Sequence, residues 1–298
     1  MRALDHLTLE VPRGIVFGFL GPNGAGKTTA IRTFLGLVEP TSGRAEVLGH
    51  DAWTDGAAVR AKAGALLEHN GLYERLTAAQ NLELFGRAWR IPRAERRARA
   101  QALLEQFGLW DRRDDLVGTW SRGMKQKLAV ARTVLHRPPL IFLDEPTAGL
   151  DPVASAALRD DLEALSQAEG TTIFLTTHNL TEAERLCALI GVIQRGRLVG
   201  IGSPAELRRR RNGNAVRIVA RGDMEVLASL GSQPLVRHAQ RDGEEWVLTL
   251  ADGATAAPLV RWLVEHGAEV EEVRPERASL EDAFLDLVGG DAAAGAKP

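Results

Sequence analysis

Gly21-Pro22-Asn23-Gly24-Ala25-Gly26-Lys27-Thr28 has the form G-x-x-x-x-G-K-T, with Thr29 directly behind it. Such a stretch reads as a phosphate-binding loop. Its backbone amides must converge on an anion, and Gly21, Gly24 and Gly26 allow dihedrals and close approaches that side chains forbid. Lys27 sets a cation against the β- and γ-phosphates, and the Thr28 hydroxyl offers a ligand to Mg²⁺. The flanks agree with this reading. Ile15 to Leu20 is an apolar run suited to a buried strand, and Thr29 to Leu35 opens a helix whose dipole favours the anion. Strand, loop and helix N-terminus in that order predict a nucleoside triphosphate site.

Two later stretches supply what hydrolysis needs. Leu140-Ile141-Phe142-Leu143-Asp144-Glu145 is a buried strand that ends in two carboxylates. Adjacent side chains of a strand point to opposite faces, so the two are expected to differ in role. Asp144 is expected to hold Mg²⁺, through water or Thr28, and Glu145 to polarise the attacking water. His178 follows the apolar strand Thr172 to Thr177, at the end where a parallel sheet presents ligands, and is read as a γ-phosphate contact. Ser121, before the apolar helix Leu128 to Leu135, reads on its own only as an N-cap.

The rest of the chain predicts an α/β architecture with a mainly parallel sheet and a second, smaller domain. Strand-like and helix-like segments alternate over residues 1–203, interrupted at about 77–135 by a stretch rich in Ala, Leu, Arg, Glu and Gln. That stretch reads as an inserted helical subdomain, with Leu82, Leu84, Phe85 and Trp89, then Leu103, Leu104, Phe107 and Leu109, as its apolar faces. Trp89 and Trp110 are expected in its core. Residues 204–214 read as a linker, a short helix broken at Asn212-Gly213-Asn214. From 215 to 288 the order βαββαβ predicts a small split-βαβ sandwich, with a hairpin at Asp242-Gly243 and a last helix capped by Ser279 and Asp282. The Ala/Gly-rich tail, 289–298, reads as disordered.

Composition narrows the class further. Net charge is −2, so no global basic field points to nucleic acid, and the arginines between Arg87 and Arg99 and from Arg208 to Arg211 read as solvated helix faces. One cysteine, Cys187, leaves no intramolecular disulfide and suits a reducing cytoplasm. No apolar stretch reaches the about 20 residues that span a bilayer, and the N-terminus lacks the apolar segment of a signal peptide. Any membrane crossing is expected from another chain.

Together these clusters resemble the ATP-binding subunit of an ABC transporter. Gly21 to Thr29 is similar to that family's Walker A motif, Leu140 to Glu145 to its Walker B, Ala148-Gly149-Leu150-Asp151 to its D-loop and His178 to its switch histidine. Ser121-Arg122-Gly123-Met124-Lys125-Gln126 resembles the Leu-Ser-Gly-Gly-Gln signature, with Trp120 and Arg122 in place of Leu and Gly. The resemblance covers about Met1 to Ser203, and the later domain, closing on Ser279 to Phe284, is similar to that of bacterial drug-export and antibiotic-resistance ATPases. It implies a P-loop NTPase fold and an ATP hydrolase with Mg²⁺ as cofactor. It also implies a homodimer that closes over ATP, with Ser121 and Gly123 gripping the γ-phosphate of the partner copy and Asp151 among the nucleotide-binding residues. A separate membrane-spanning permease would dock near Glu68 to Trp89, placing the subunit on the cytoplasmic face of the membrane, with export favoured by the later domain.

Two positions depart from that family. Glu68 stands where a glutamine is expected; a carboxylate there still offers a ligand to Mg²⁺. The family's adenine-stacking aromatic lies upstream of the Gly14 turn, and the sequence holds none there. Either the start codon is misplaced or adenine is held without that stack. The alternatives are a soluble ABC-type ATPase acting on nucleic acid or ribosome, and a GTPase switch. The long coiled coil or second nucleotide domain of the first is missing, as is the Asn-Lys-x-Asp motif of the second.

Overall fold

The computed structural model describes residues 2–212, 214–251, 253–275 and 279–294. Contacts divide the chain into two compact units, residues 1–203 and 204–298. The first is built on six strands: β1 (Val16–Leu20), β4 (Ala63–Leu66), β5 (Leu140–Asp144), β6 (Thr172–Thr177), β7 (Leu189–Gln194) and β8 (Arg197–Gly202). Between β1 and β4 lies a two-stranded ribbon of β2 (Glu46–Val47) and β3 (His50–Asp51). The large sheet runs β4-β5-β6-β1-β7-β8, parallel except for the antiparallel edge pair β7–β8. β1, β5 and β6 are buried along their whole length, as expected of strands covered on both faces.

One face of the sheet is organised by aromatic contacts. Phe174 of β6 lies 5.1 Å from Phe17, 5.6 Å from Phe19 and 5.6 Å from Phe142, centroid to centroid. Phe34, from α1 (Lys27–Phe34), closes the group edge-on at 5.5 Å. This packing fixes α1 against the sheet, and with it the loop that opens the helix.

α2 (Gly56–Lys62) precedes β4, and between β4 and β5 the chain forms α3 (Ala78–Ala88), α4 (Arg93–Gln106) and α5 (Arg122–Val134). Thr77 and Gln80 form a reciprocal cap that starts α3. Ala78, Asn81, Leu82 and Gly86 are the buried residues of α3, a spacing that follows one stripe of the helix. Leu84 and Trp89 therefore turn outward, which corrects the expectation that both belong to the core: they are 40% and 37% exposed. Trp89 stacks on His136 at 3.7 Å, and burial pushes that imidazole down to about 4. Trp110 is half-buried beneath the Arg113 guanidinium. The arginine-rich face is not wholly solvated either. Arg96 is buried and donates two hydrogen bonds to Glu83, each 2.7 Å.

After β5 come α6 (Pro152–Glu169) and α7 (Leu180–Leu186). No helix among the described residues is long and apolar enough to cross a membrane.

The second unit opens with α8 (Pro204–Asn212), a regular helix over most of the expected linker; Gly213 lies outside the described residues. It continues with β9 (Asn214–Arg221), α9 (Met224–Ala228), β10 (Val236–Asp242), β11 (Glu245–Leu250), α10 (Ala257–Glu265) and β12 (Glu269–Pro275). Its antiparallel sheet runs β10-β11-β9-β12, the strand order of a split βαβ sandwich. Ile218, Trp246, Leu248, Leu259 and Leu263 form its core. Ser279 and Asp282 cap α11 (Leu280–Ala294) reciprocally at 3.1 Å in both directions. That helix runs past Leu287 to Ala294, through part of the segment expected to be disordered; residues 295–298 lie outside the described ones, as do the Arg209, Arg210 and Arg211 side chains.

Arg96 holds the Glu83 carboxyl well below its ordinary 4.5, at about 2, helped by Arg87. A carboxylate more acidic in the folded than in the unfolded chain stabilises the fold fully above 4.5 and loses that contribution as pH falls toward about 2. Glu83→Gln is therefore expected to lower the urea midpoint at pH 7, with the gap to wild type narrowing in the acid range. A gap that stays constant with pH counts against the ion pair.

Candidate active site

Parallel pairing delivers the site's side chains to one end of the sheet. Leu20 at the end of β1 stands opposite Thr177 of β6, and Thr176 stands opposite Asp144 of β5. The loop Gly21 to Gly26 leaves β1 at that end and turns into α1. Gly26 has φ 110°, closed to other residues, and a Cβ at Gly21 would collide with the Ile193 carbonyl oxygen. The first intrahelical acceptor serves Ala30, whose amide donates to Gly26 O, so the amides of Lys27, Thr28 and Thr29 have no acceptor within the helix. With the helix dipole, they form an anion-binding end.

Lys27 is buried, and its ammonium donates to Gly21 O at 2.7 Å and Pro22 O at 3.3 Å. It also lies 3.1 Å from a Glu145 carboxyl oxygen. The other Glu145 oxygen is 3.1 Å from His178 Nδ1. Asp144 accepts from Thr28 Oγ1 at 2.7 Å and from Thr176 Oγ1 at 2.5 Å. Lys27, Thr28, Asp144, Glu145 and His178 thus converge at one end of the sheet.

The divergence of the two carboxylates has a different cause from the strand alternation expected. β5 ends at Asp144, and Glu145 adopts φ 49°, a left-handed conformation that costs a non-glycine residue about 1–2 kcal/mol. Its amide is held there by the carbonyl and hydroxyl oxygens of Thr176, at 3.1 and 3.0 Å. Strain held in place by its surroundings is a common mark of a functional site. Thr176 itself was missed by sequence reasoning. A threonine inside an apolar strand carries no motif, and only the β5–β6 register reveals that its hydroxyl serves both Asp144 and Glu145.

The paired hydroxyl of Thr28 and carboxylate of Asp144 are hard oxygen donors, the set that suits Mg²⁺. The Glu68 carboxylate is 3.1 Å from Arg32 in a half-exposed ion pair. Ser121 caps α5 and accepts from the Met124 amide at 3.3 Å, while Asp151 caps α6 and accepts from the Ala154 amide at 2.9 Å. Among the described residues, neither they nor Gly123 partner Lys27. Arg122, the signature position that departs from the usual glycine, donates to Ala148 O at 2.7 Å. It ties the start of α5 to the loop before Asp151, and Gly149 leaves room for it.

A central β1 ending in a phosphate-binding loop, with a carboxylate-terminated strand one place beyond its neighbour, defines a P-loop nucleoside triphosphatase. Residues 4–148 match the family described as ABC transporter, and residues 202–288 match the C-terminal domain described as ATP-binding protein DrrA1-3-like. The chain is 41% identical over 293 residues to the daunorubicin resistance ATP-binding protein DrrA3 of Streptomyces coeruleorubidus, covering 97% of this chain and 92% of that one. It is 34% identical over 290 residues to the bacitracin transport ATP-binding protein BcrA of Bacillus licheniformis, with 97% and 93% covered. Among solved structures, an ATP-binding subunit of an ABC transporter aligns with TM-score 0.63 at 35% identity, over 70% of this chain and 86% of that one. A dimeric ATP-binding cassette in a post-hydrolysis state, bound to ADP and Pi, aligns with TM-score 0.61 at 26% identity, over 67% and 90%. The chain belongs to the ABC transporter family and is an ATP-binding, ATP-hydrolysing member of it.

Thr176→Val keeps the strand's shape and removes the hydroxyl that donates to the Asp144 carboxylate and accepts from the Glu145 amide. It is expected to lower kcat about 10- to 100-fold with little change in KM for ATP. A variant that hydrolyses ATP at the wild-type rate excludes this role.

Proposed function

We propose that this chain is the ATP-driven subunit of a membrane exporter and works as a homodimer that sandwiches two ATP molecules. One observation carries the catalytic part of the reading: the Glu145 carboxylate spans Lys27 and His178, while Asp144 is bonded to Thr28. Residues that bind phosphate and residues suited to activate water are thereby assembled in one place.

The loop amides and Lys27 neutralise the β- and γ-phosphates. Thr28 and Asp144 would hold Mg²⁺, which would supply further neutralisation of phosphate charge. Glu145 accepts a proton from the attacking water, and His178 contacts the γ-phosphate while steering the Glu145 carboxylate. Ser121 and Gly123 of one copy meet the γ-phosphate held by the other, and Asp151 lies beside the same junction. Loss of the γ-phosphate then releases the grip between copies, and the opening dimer moves a permease.

The exposed side chains of Tyr73, Leu84 and Trp89 support docking of that permease over the stretch from Glu68 to Trp89, which would leave the chain on the cytoplasmic side of the membrane. The drug-resistance and bacitracin-transport relatives support export rather than import. The domain division at residues 203 and 204 supports an accessory role for the second unit.

Glu145→Gln keeps the shape of the side chain and removes the base. With ATP it is expected to elute as a dimer on size-exclusion chromatography; elution only as a monomer would defeat the sandwich reading. Lys27→Ala is expected to abolish ATP turnover, and retained turnover in a clean preparation counts against the phosphate site.

A further inference from the structure

Asn179-Leu180-Thr181-Glu182 has the spacing of a reciprocal helix cap, in which the fourth residue's carboxylate bonds back to the first residue's amide. Only half of that cap forms. The Asn179 side chain accepts from the Glu182 amide at 3.1 Å, but the Asn179 amide donates to Thr177 Oγ1 at 2.9 Å. The Glu182 carboxylate is thereby freed from the cap and turns inward. The residue is fully buried, and neither carboxyl oxygen completes a direct hydrogen bond. Burial pushes the carboxyl above its ordinary value against the pull of the Thr177 and Thr147 hydroxyls beside it and of Arg159 and His178.

A buried carboxyl whose contacts with neighbouring hydroxyls do not offset its desolvation costs folding free energy, so its presence needs a reason. Its neighbours supply one. Thr177 ends β6 immediately before His178, and Thr147 lies in the turn that runs from Glu145 to Asp151. Both threonines are buried, at 2% and 8% exposure. Glu182 is packed where these two segments meet. One carries the histidine, and the other carries the catalytic carboxylate and the loop that Arg122 ties to α5.

We propose that Glu182 is a positioning residue for ATP hydrolysis. Its carboxyl group, seated against the Thr147 and Thr177 hydroxyls, sets the spacing between the His178 segment and the Glu145–Asp151 turn, so that a displacement of one is passed to the other. This rests on the assignment of Glu145 and His178 made above. Glutamate is kept at the expense of stability because an apolar side chain of the same size would fill the space and leave the two segments unregistered.

The full chain is tested as wild type, Glu182→Leu, Glu182→Met, Glu182→Gln and Glu145→Gln. Each is followed by steady-state ATP hydrolysis, thermal unfolding and titration with a fluorescent ATP analogue. Glu182→Leu is expected to unfold at a higher temperature than wild type while kcat falls about tenfold or more and KM for ATP stays within about threefold. Glu182→Met serves in its place if the leucine variant does not fold. Glu182→Gln keeps the shape and a polar head, and is expected to retain kcat within about threefold of wild type. A wild-type kcat in the apolar variants overturns the proposal. So does an activity loss that tracks a lower unfolding temperature or a smaller fraction of nucleotide-binding chains, or an equal loss in Glu182→Gln. Wild-type turnover by Glu145→Gln would instead overturn the reading of the catalytic carboxylate, whatever the Glu182 variants do.

Discussion

The parallel pairing of β5 with β6, and of β6 with β1, is the constraint on which the rest of the site depends. It sets Leu20 level with Thr177 and Thr176 level with Asp144. A slip of one residue would turn each of these side chains to the other face of the sheet. The register is locked by what lies behind it, since Phe17, Phe142 and Phe174 meet on one face and Phe34 of α1 packs onto them. The same contacts that stabilise the core therefore bring the Thr28 hydroxyl 2.7 Å from Asp144.

Around this rigid base two carboxylates are held at a cost. Glu145 sits in a left-handed backbone conformation, pinned by Thr176, and the buried Glu182 lies beside the strand end that precedes His178. Each feature costs folding free energy, and both lie within a few residues of the motifs that handle phosphate. By contrast, the distant Glu83–Arg96 pair is fully satisfied and binds α3 to α4. Other left-handed residues, His6, Leu48, Arg90, Arg137 and Arg195 among them, are spread through the first unit, so it is the placement of Glu145 beside Lys27 that marks it.

Much of this was legible in the chain because its signals are local. The phosphate loop, the Asp144–Glu145 strand end and His178 are short motifs whose physical demands show in consecutive residues. The helical insert and the βαββαβ order of the second unit were equally readable from periodicity, and the Asp242-Gly243 hairpin joins β10 to β11. Expectations failed where a residue's surroundings came from elsewhere in the chain. Leu84 and Trp89 were counted as core until α3 turned them outward. The Arg32 partner of Glu68 lies far away in sequence, and no local pattern announces that pair. Thr176 and Glu182 gave no signal at all, because a threonine in a strand and a glutamate after a helix cap are ordinary in one dimension.

The sequence by itself determined that the chain binds a triphosphate at the end of a parallel sheet, because G-x-x-x-x-G-K-T between a buried strand and a helix satisfies the needs of an anion with local backbone geometry. It also determined which carboxylates end the neighbouring strand. Only the tertiary structure decided how those groups share their work, since strand register and side-chain burial join residues distant in the chain. Through them Thr176 serves the Asp144 carboxylate and the Glu145 amide, Arg122 reaches the Ala148 carbonyl, and Glu182 lies beside Thr147 and Thr177.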